Sequence, residues 1–226
     1  MKTVFALLAM LSVNVFSAPF ANLDFESPNI RAVLASNAIS APVRVVDAIP
    51  KWTFRVGEQE QQFLLYNNTF LSSAGGSFSQ SLSPDRGKYT FSMTAGPLPS
   101  NSSGPLFSSS LYQTGTVPVN ARSLLFDAGI DYGPLDVSLG GSLSSVVELS
   151  RGADAFHAYG IDVTAWAGQE AELRFTIGPG ISTAFGALII DNIRFSPVAL
   201  VPEPSTWALL GVGGAFLLMV ARSRKA

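Results

Sequence analysis

Ala171-Glu172-Leu173-Arg174-Phe175-Thr176-Ile177 alternates apolar and polar residues without a break. A period of two is the repeat of a strand with one buried face and one wet face. Leu173, Phe175 and Ile177 then point inward, and Glu172, Arg174 and Thr176 meet water. Residues 88–94 repeat the pattern with Tyr89, Phe91 and Met93 inward, and residues 135–139 repeat it again. The long 3.6-residue periodicity of amphipathic helices is missing from this part of the chain.

Working outward, strands are predicted over 43–47, 52–56, 62–66, 111–116, 123–127, 145–149, 157–163 and 187–195. Turn chemistry separates them. Ser83-Pro84-Asp85-Arg86-Gly87 sets Pro and Asp where a type I turn needs them, and Gly140-Gly141 suits a tight hairpin. Asp131-Tyr132-Gly133-Pro134 and Gly178-Pro179-Gly180 break two more strands. The Ser/Pro/Gly-rich stretch 98–110 reads as a long surface loop. Many short strands at this spacing predict an all-β domain, a jelly-roll β-sandwich.

The two ends read differently. Met1-Lys2-Thr3 is followed by an apolar run to Phe16 and then by small residues, the layout of a secretory signal peptide over 1–17 with a cut before Ala18. At the other end, Val201-Pro202-Glu203-Pro204 precedes an apolar run from Trp207 to Ala221 and the basic end Arg222-Ser223-Arg224-Lys225. Prolines stop a helix arriving from upstream and can precede a new one. The apolar run predicts a transmembrane helix, and the cations after it favour a cytoplasmic C-terminus. The domain then faces outward, as the signal peptide independently requires. The expected organisation is a signal peptide over 1–17, a sandwich over 18–196, a linker over 197–204 and a C-terminal helix with its basic tail over 205–226.

Composition narrows the function of the middle part. Without the two ends it keeps ten cations against fifteen anions, a net charge near −5. A nucleic-acid partner needs a basic surface and is excluded. The chain has no cysteine, so disulfides, thiol catalysis and Cys-ligated metals are excluded too. His157 is the single histidine, which rules out a multi-histidine metal site. No Gly-x-Ser-x-Gly elbow frames a serine nucleophile, and no glycine loop suits a phosphate. His157 reads as a surface or half-buried residue. Fifteen acidic residues will always include some close pair, so paired carboxylates decide nothing.

The tail resembles the PEP-CTERM sorting signal, with Pro202, Glu203 and Pro204 as the namesake motif, Trp207-Ala208-Leu209-Leu210-Gly211 after it, and Arg222, Arg224 and Lys225 as the membrane stop. The resemblance implies a Gram-negative host that makes exopolysaccharide. It also implies an exosortase as partner, a membrane enzyme that cuts near the motif. The middle part resembles the galactose-binding-like jelly roll. Asn22-Leu23-Asp24-Phe25-Glu26 matches its first strand and Ile49-Pro50-Lys51-Trp52 the step after it. Tyr112-Gln113-Thr114-Gly115-Thr116-Val117 matches a middle strand. Residues 161–169 lead into Glu172-Leu173-Arg174-Phe175, and Ile190-Asp191-Asn192-Ile193 matches the closing strand. Lys51 departs from the pattern, which favours glycine there.

Asp191 is the most informative acidic residue. As a strand, 187–195 sets Ile189, Asp191, Ile193 and Phe195 on one face, although Leu188 and Ile190 are apolar as well. A carboxylate among apolar neighbours needs a partner. The jelly-roll resemblance implies a structural calcium joining first and last strands, with Glu26 and Asp191 at the matching positions. The alternative is a carboxylate bonded to backbone amides or facing water. Trp52 and Trp166 are candidate sugar-stacking faces, but their positions favour core packing. Tyr66 with Asn67 and Asn68, and Tyr112 with Gln113, set an aromatic beside amides, which suits a sugar or an ordinary strand end equally.

The expected function is an exported surface or matrix module, non-catalytic and associated with exopolysaccharide or biofilm. A secreted glycan-active enzyme and a self-associating structural adhesin are the alternatives.

Overall fold

The computed structural model describes residues 18–31, 41–67, 73–81, 86–152, 156–180 and 185–200. The predicted signal peptide, the turn at 83–85 and the C-terminal helix lie outside the described residues. Among the described residues no helix is long and apolar enough to cross a membrane.

The architecture is the predicted all-β sandwich. One sheet contains β1 (Ala41–Arg44), β4 (Phe63–Tyr66), β5 (Gly75–Gln80), β6 (Tyr89–Leu98), β15 (Gly186–Ser196), β9 (Ser123–Asp131), β13 (His157–Asp162) and β12 (Val147–Arg151), in that spatial order, with β7 (Asn101–Phe107) paired to β6. The facing sheet runs β11 (Ser142–Ser144), β10 (Leu135–Leu139), β14 (Glu170–Ile177), β8 (Ser109–Thr116), β2 (Thr53–Val56) and β3 (Gln59–Glu60). Pairing is antiparallel except between β4 and β5. The chain crosses between the sheets repeatedly, so β8 pairs with β14 and β9 with β15, strands far apart in sequence. That winding is the jelly roll.

The alternation of residues 171–177 holds in space. Leu173, Phe175 and Ile177 are fully buried, while Glu172, Arg174 and Thr176 stay partly exposed. Phe126 of β9 meets Phe175 of β14 edge-on across the sandwich, ring centroids 5.2 Å apart. Phe91 of β6 meets Phe54 of β2 in the same way at 5.7 Å. These edge-to-face pairs join the two sheets. The Gly140-Gly141 turn between β10 and β11 has φ of 59° and 80°, the mirror-image turn that fits strand twist and favours glycine twice.

Four expectations are corrected. Residues 98–110 are a hairpin, not a loop: β6 turns at Pro99-Ser100 into β7. Its composition hides it, because Pro97 lies at the end of β6 beyond its registered pairs with β5 and β15, and Pro105 lies on β7, which pairs only with β6, so neither proline interrupts a central ladder. Asn22–Glu26 forms no ladder strand. Asn22 and Phe25 take positive φ, the Asn22 side chain accepts from the Ser27 amide and donates to the Pro50 carbonyl, and Asp24 accepts from the Glu26 amide. Local side-chain bonds replace the ladder. The strand predicted over 43–47 stops at Arg44, where Val45–Ala48 closes one helical turn. β5 escapes the sequence pattern because Phe78 is the only large residue among its buried positions: Gly76, Ser77 and Ser79 also lie inside, and Ser77 donates to the Leu65 carbonyl.

Both ends of the described domain are fastened to one loop. The Thr116 amide donates to the Ala18 carbonyl at 3.0 Å, and Gln113 holds Ala21 through both its amide nitrogen and its oxygen. Six residues further on, the Arg122 amide donates to Ser196 and the Ser123 hydroxyl donates to Val198. Phe20 and Phe195 touch at 5.3 Å between them.

Candidate functional site

The last strand brings together the acidic residues singled out from the sequence. A bulge breaks the register of β15 against β9 between Asp191 and Arg194, and Asn192 sits there with φ of 51°. The predicted shared face is therefore corrected. Leu188 and Ile190 face the core before the bulge and Ile193 faces it after, because one extra residue shifts the phase. Asp191 lies on the other side of the sheet yet is fully buried, opposite Asp127 of β9.

Around this pair the polar contacts are specific. The Asn192 amide donates to Asp191 Oδ1 at 2.7 Å, and Asn192 Nδ2 donates to Asp127 Oδ2 at 3.0 Å. Arg86 lies 3.8 Å from Asp127 and stacks on the Phe156 ring. Glu26 Oε1 accepts from the Lys88 and Tyr89 amides at 2.7 and 2.9 Å, which fixes the N-terminal segment beside β6. Asp191 Oδ2 is buried with no hydrogen-bond partner among the described residues. Burial pushes the Asp191 carboxyl up to about 7, against the pull of the Asn192 amide, and the Glu26 and Asp127 charges push the same way.

The orphaned buried Oδ2 of Asp191 is the one feature here that would suit a hard cation such as calcium, while Glu26 Oε1 and Asp127 Oδ2 already have partners. Among the described residues no group of three His, Cys, Asp or Glu side chains is arranged to hold a metal. Any further ligands would come from carbonyls or water. Beside the bulge lies a cleft of about 410 Å³, lined by Phe20, Asn22, Asp24, Asn192 and Arg194 among others.

The other candidates separate cleanly. Trp52 is core, its indole donating to the Asn22 carbonyl at 2.8 Å. Trp166 is half-buried and packs across Gly140. Tyr66 is buried, and Asn68 lies outside the described residues. His157 is half-buried on the Tyr159 ring, with Nδ1 3.3 Å from Glu148, which also holds Arg151. Tyr112 and Gln113 point to opposite faces, so they form no joint site. Gln113 is the clamp on Ala21, and Tyr112 faces outward.

Sequence reasoning missed what surrounds Tyr112. Arg174 is its cross-strand partner, and Arg55 lies diagonally across from it on β2. The two guanidinium carbons are 4.1 and 5.2 Å from the tyrosine ring centroid. Arg174 also donates to Glu172 at 2.8 Å. Arg55 has no ion pair among the described residues, and its buried Nε has no acceptor there. The result is a row across the outward face in which Arg55 and Arg174 flank Tyr112, with Glu60 opposite Arg55 on β3 and Glu172 bonded to Arg174. The signal was present in the sequence, since Arg55, Tyr112 and Arg174 all fall on the polar phase of their strands, but strand order alone brings them side by side.

Comparison with known proteins adds the following. The model of the PEP-CTERM protein-sorting motif matches residues 200–225, which include Pro202, Glu203, Pro204, Arg222, Arg224 and Lys225. No curated protein matches the chain. Among solved structures, the chain is similar to the enzymatically active domain of bacteriophage CBA120 tailspike protein 4 at 12% identity and TM-score 0.40, over 80% of this chain and only 21% of that one. It is similar to TmCBM61 in complex with β-1,4-galactotriose at 10% identity and TM-score 0.34, over 79% of this chain and 97% of that one. It is also similar to Caldicellulosiruptor saccharolyticus CBM27-1 in complex with mannohexaose at 14% and 0.38, over 73% and 100%. At these values the likenesses say nothing about what this chain binds.

Proposed function

We propose that this chain, which carries a PEP-CTERM protein-sorting motif over residues 200–225 and is thereby an exported protein, is a non-catalytic surface module that associates with exopolysaccharide. The sorting motif is the observation that carries the reading. An exosortase is the partner that the motif calls for. Pro202, Glu203 and Pro204 present the region to be cut, and the apolar run with Arg222, Arg224 and Lys225 halts export in the membrane. The mature domain then runs from about Ala18 to the motif.

Within that domain, the outward row Arg55–Tyr112–Arg174 is the place for an acidic polymer. Stacking on Tyr112 orders both guanidiniums before a ligand arrives, so less freedom is lost on binding. A uronate or sulfate group can pair with their outer nitrogens. The calcium proposed at Glu26 and Asp191 is structural, tying the N-terminal segment to the last strand.

Intact mass of the protein from its native host tests the reading, in membrane, surface and medium fractions. The expected species starts near Ala18 and ends within 202–204. A chain found only in the membrane and running intact to Ala226 would overturn it.

A further inference from the structure

Residues 197–200 do not hang loose from the sandwich. The Ser123 hydroxyl donates to the Val198 carbonyl at 2.7 Å, and the Val198 amide donates to Ser196 Oγ at 3.1 Å. Leu200 then lies over Gly160 of β13. A Cβ on Gly160 would come within 2.6 Å of Leu200 Cδ2, 3.1 Å of Leu125 and 3.3 Å of Leu149. The missing side chain is thus a notch between two leucines, and Leu200 fills it. The sorting motif begins two residues later. Only two to four residues, a chain reach of roughly 7–14 Å at most, separate the seated Leu200 from the motif.

We infer that this seat gates removal of the tail: the folded domain holds Val198 and Leu200 away from the enzyme, and cutting near 202–204 proceeds from the state in which 197–200 has lifted off β9 and β13. The inference rests on the sorting reading above. An enzyme that cuts a chain takes several residues on each side of the bond into its cleft in extended form. Leu200 cannot sit in the notch, nor the Val198 backbone keep its bonds to Ser123 and Ser196, while both residues lie extended in that cleft. When lifting is fast compared with cutting, the rate follows the lifted fraction. Ser123 and Gly160 are accordingly positioning residues for tail processing, although neither belongs to the motif.

Three variants of the full chain test this in the native host, by pulse-labelling and following the tail-less mass with time. Gly160→Ala fills the notch and evicts Leu200. Ser123→Ala removes the bond to Val198. A four-residue Gly/Ser insertion between Leu200 and Val201 leaves the seat intact but gives the motif reach, and it lies outside the sandwich. Each substitution is expected to speed cutting roughly three- to tenfold, the range of one lost hydrogen bond or small contact. The insertion is expected to speed it at least as much, with an unchanged melting temperature of the purified domain. Cutting at the parental rate in the insertion variant and in Gly160→Ala would overturn the gate and leave the sorting reading standing. A parental tail that is never cut would overturn both.

Discussion

Asp191 and Asp127 stand directly opposite one another on β15 and β9, and Asn192 bonds to both carboxylates, through its backbone amide to one and its side chain to the other. Two like charges at a cross-strand position are unfavourable unless something neutralises them. Arg86 offsets the Asp127 charge from 3.8 Å away, and burial raises the Asp191 carboxyl to about 7.

The pH dependence follows from that shift. An unfolded Asp191 loses its proton near the ordinary carboxylate value of 3.8, and the folded one keeps it to about 7. Between these limits the folded state binds more protons, so this residue lowers stability as pH rises, and the effect levels off above about 7. Asp191→Asn is therefore expected to gain on the parent from pH 4 to pH 7, by on the order of 4 kcal/mol at most. Urea unfolding in chelator at pH 4.5 and 8 measures it. A constant difference between the two proteins at both pH values would refute the assignment.

Calcium at the site proposed above would supply another form of neutralisation. At pH 8 a hundredfold excess over its dissociation constant should stabilise the parent by about 2.7 kcal/mol and leave Asp191→Asn unmoved. Thermal unfolding with and without calcium is the check, and equal shifts in both proteins would speak against the site.

Arg55→Ala and Tyr112→Ala should weaken retention on an acidic polysaccharide such as alginate, while the melting temperature shifts little. Arg55 makes no ion pair within 4 Å among the described residues, and its cross-strand neighbour Glu60 is exposed, so its removal costs the fold little. Affinity electrophoresis at low and high salt would show it. Retention that is equal in parent and variants, or insensitive to salt, would remove this face from consideration.

The Gly140-Gly141 turn offers an internal comparison. Both glycines take positive φ, but only Gly140 lies against the Trp166 ring, whereas nothing among the described residues stands near Gly141. Gly141→Ala should cost about 1 kcal/mol from backbone strain alone. Gly140→Ala should cost about 2–4 kcal/mol, because the indole must move as well. Equal losses in denaturant titration would mean that Trp166 yields without cost.

Gln113 is buried and closes both of its bonds on Ala21. Gln113→Ala should lower stability by about 1–3 kcal/mol and expose residues 18–26 to limited proteolysis. An unchanged digestion pattern would show that Phe20 and Glu26 hold the segment by themselves.

The sequence exposes the parts of this fold where physics is local. Unbroken alternation places β14, and paired glycines place the β10–β11 turn. β5 stays hidden because Phe78 is its only large interior residue, and the glycine and serines on either side of it break the apolar alternation. The β6–β7 hairpin stays hidden because proline is costly only where a ladder needs its amide. Glu26 and Asp191 are legible as a pair through resemblance. Asp127 is not, since its role depends on which strand lies beside β15 and on a bulge that the alternation of 187–195 gives no sign of. The Arg55–Tyr112–Arg174 row depends on the same kind of knowledge, the lateral order of strands from three distant parts of the chain.

The tail departs from β15, a strand in the interior of its sheet with β6 on one flank and β9 on the other. If the domain is tethered by its tail as proposed, any pull on the tail enters the domain along that strand. Pulling it lengthwise loads the ladders on both flanks at once, in shear, rather than opening them one bond at a time from an edge. A surface protein hung from an edge strand such as β1 or β12 would unzip. A domain pulled through β15 must instead lose its ladders to β6 and β9 together, so this route of unfolding should resist more force than peeling from an edge.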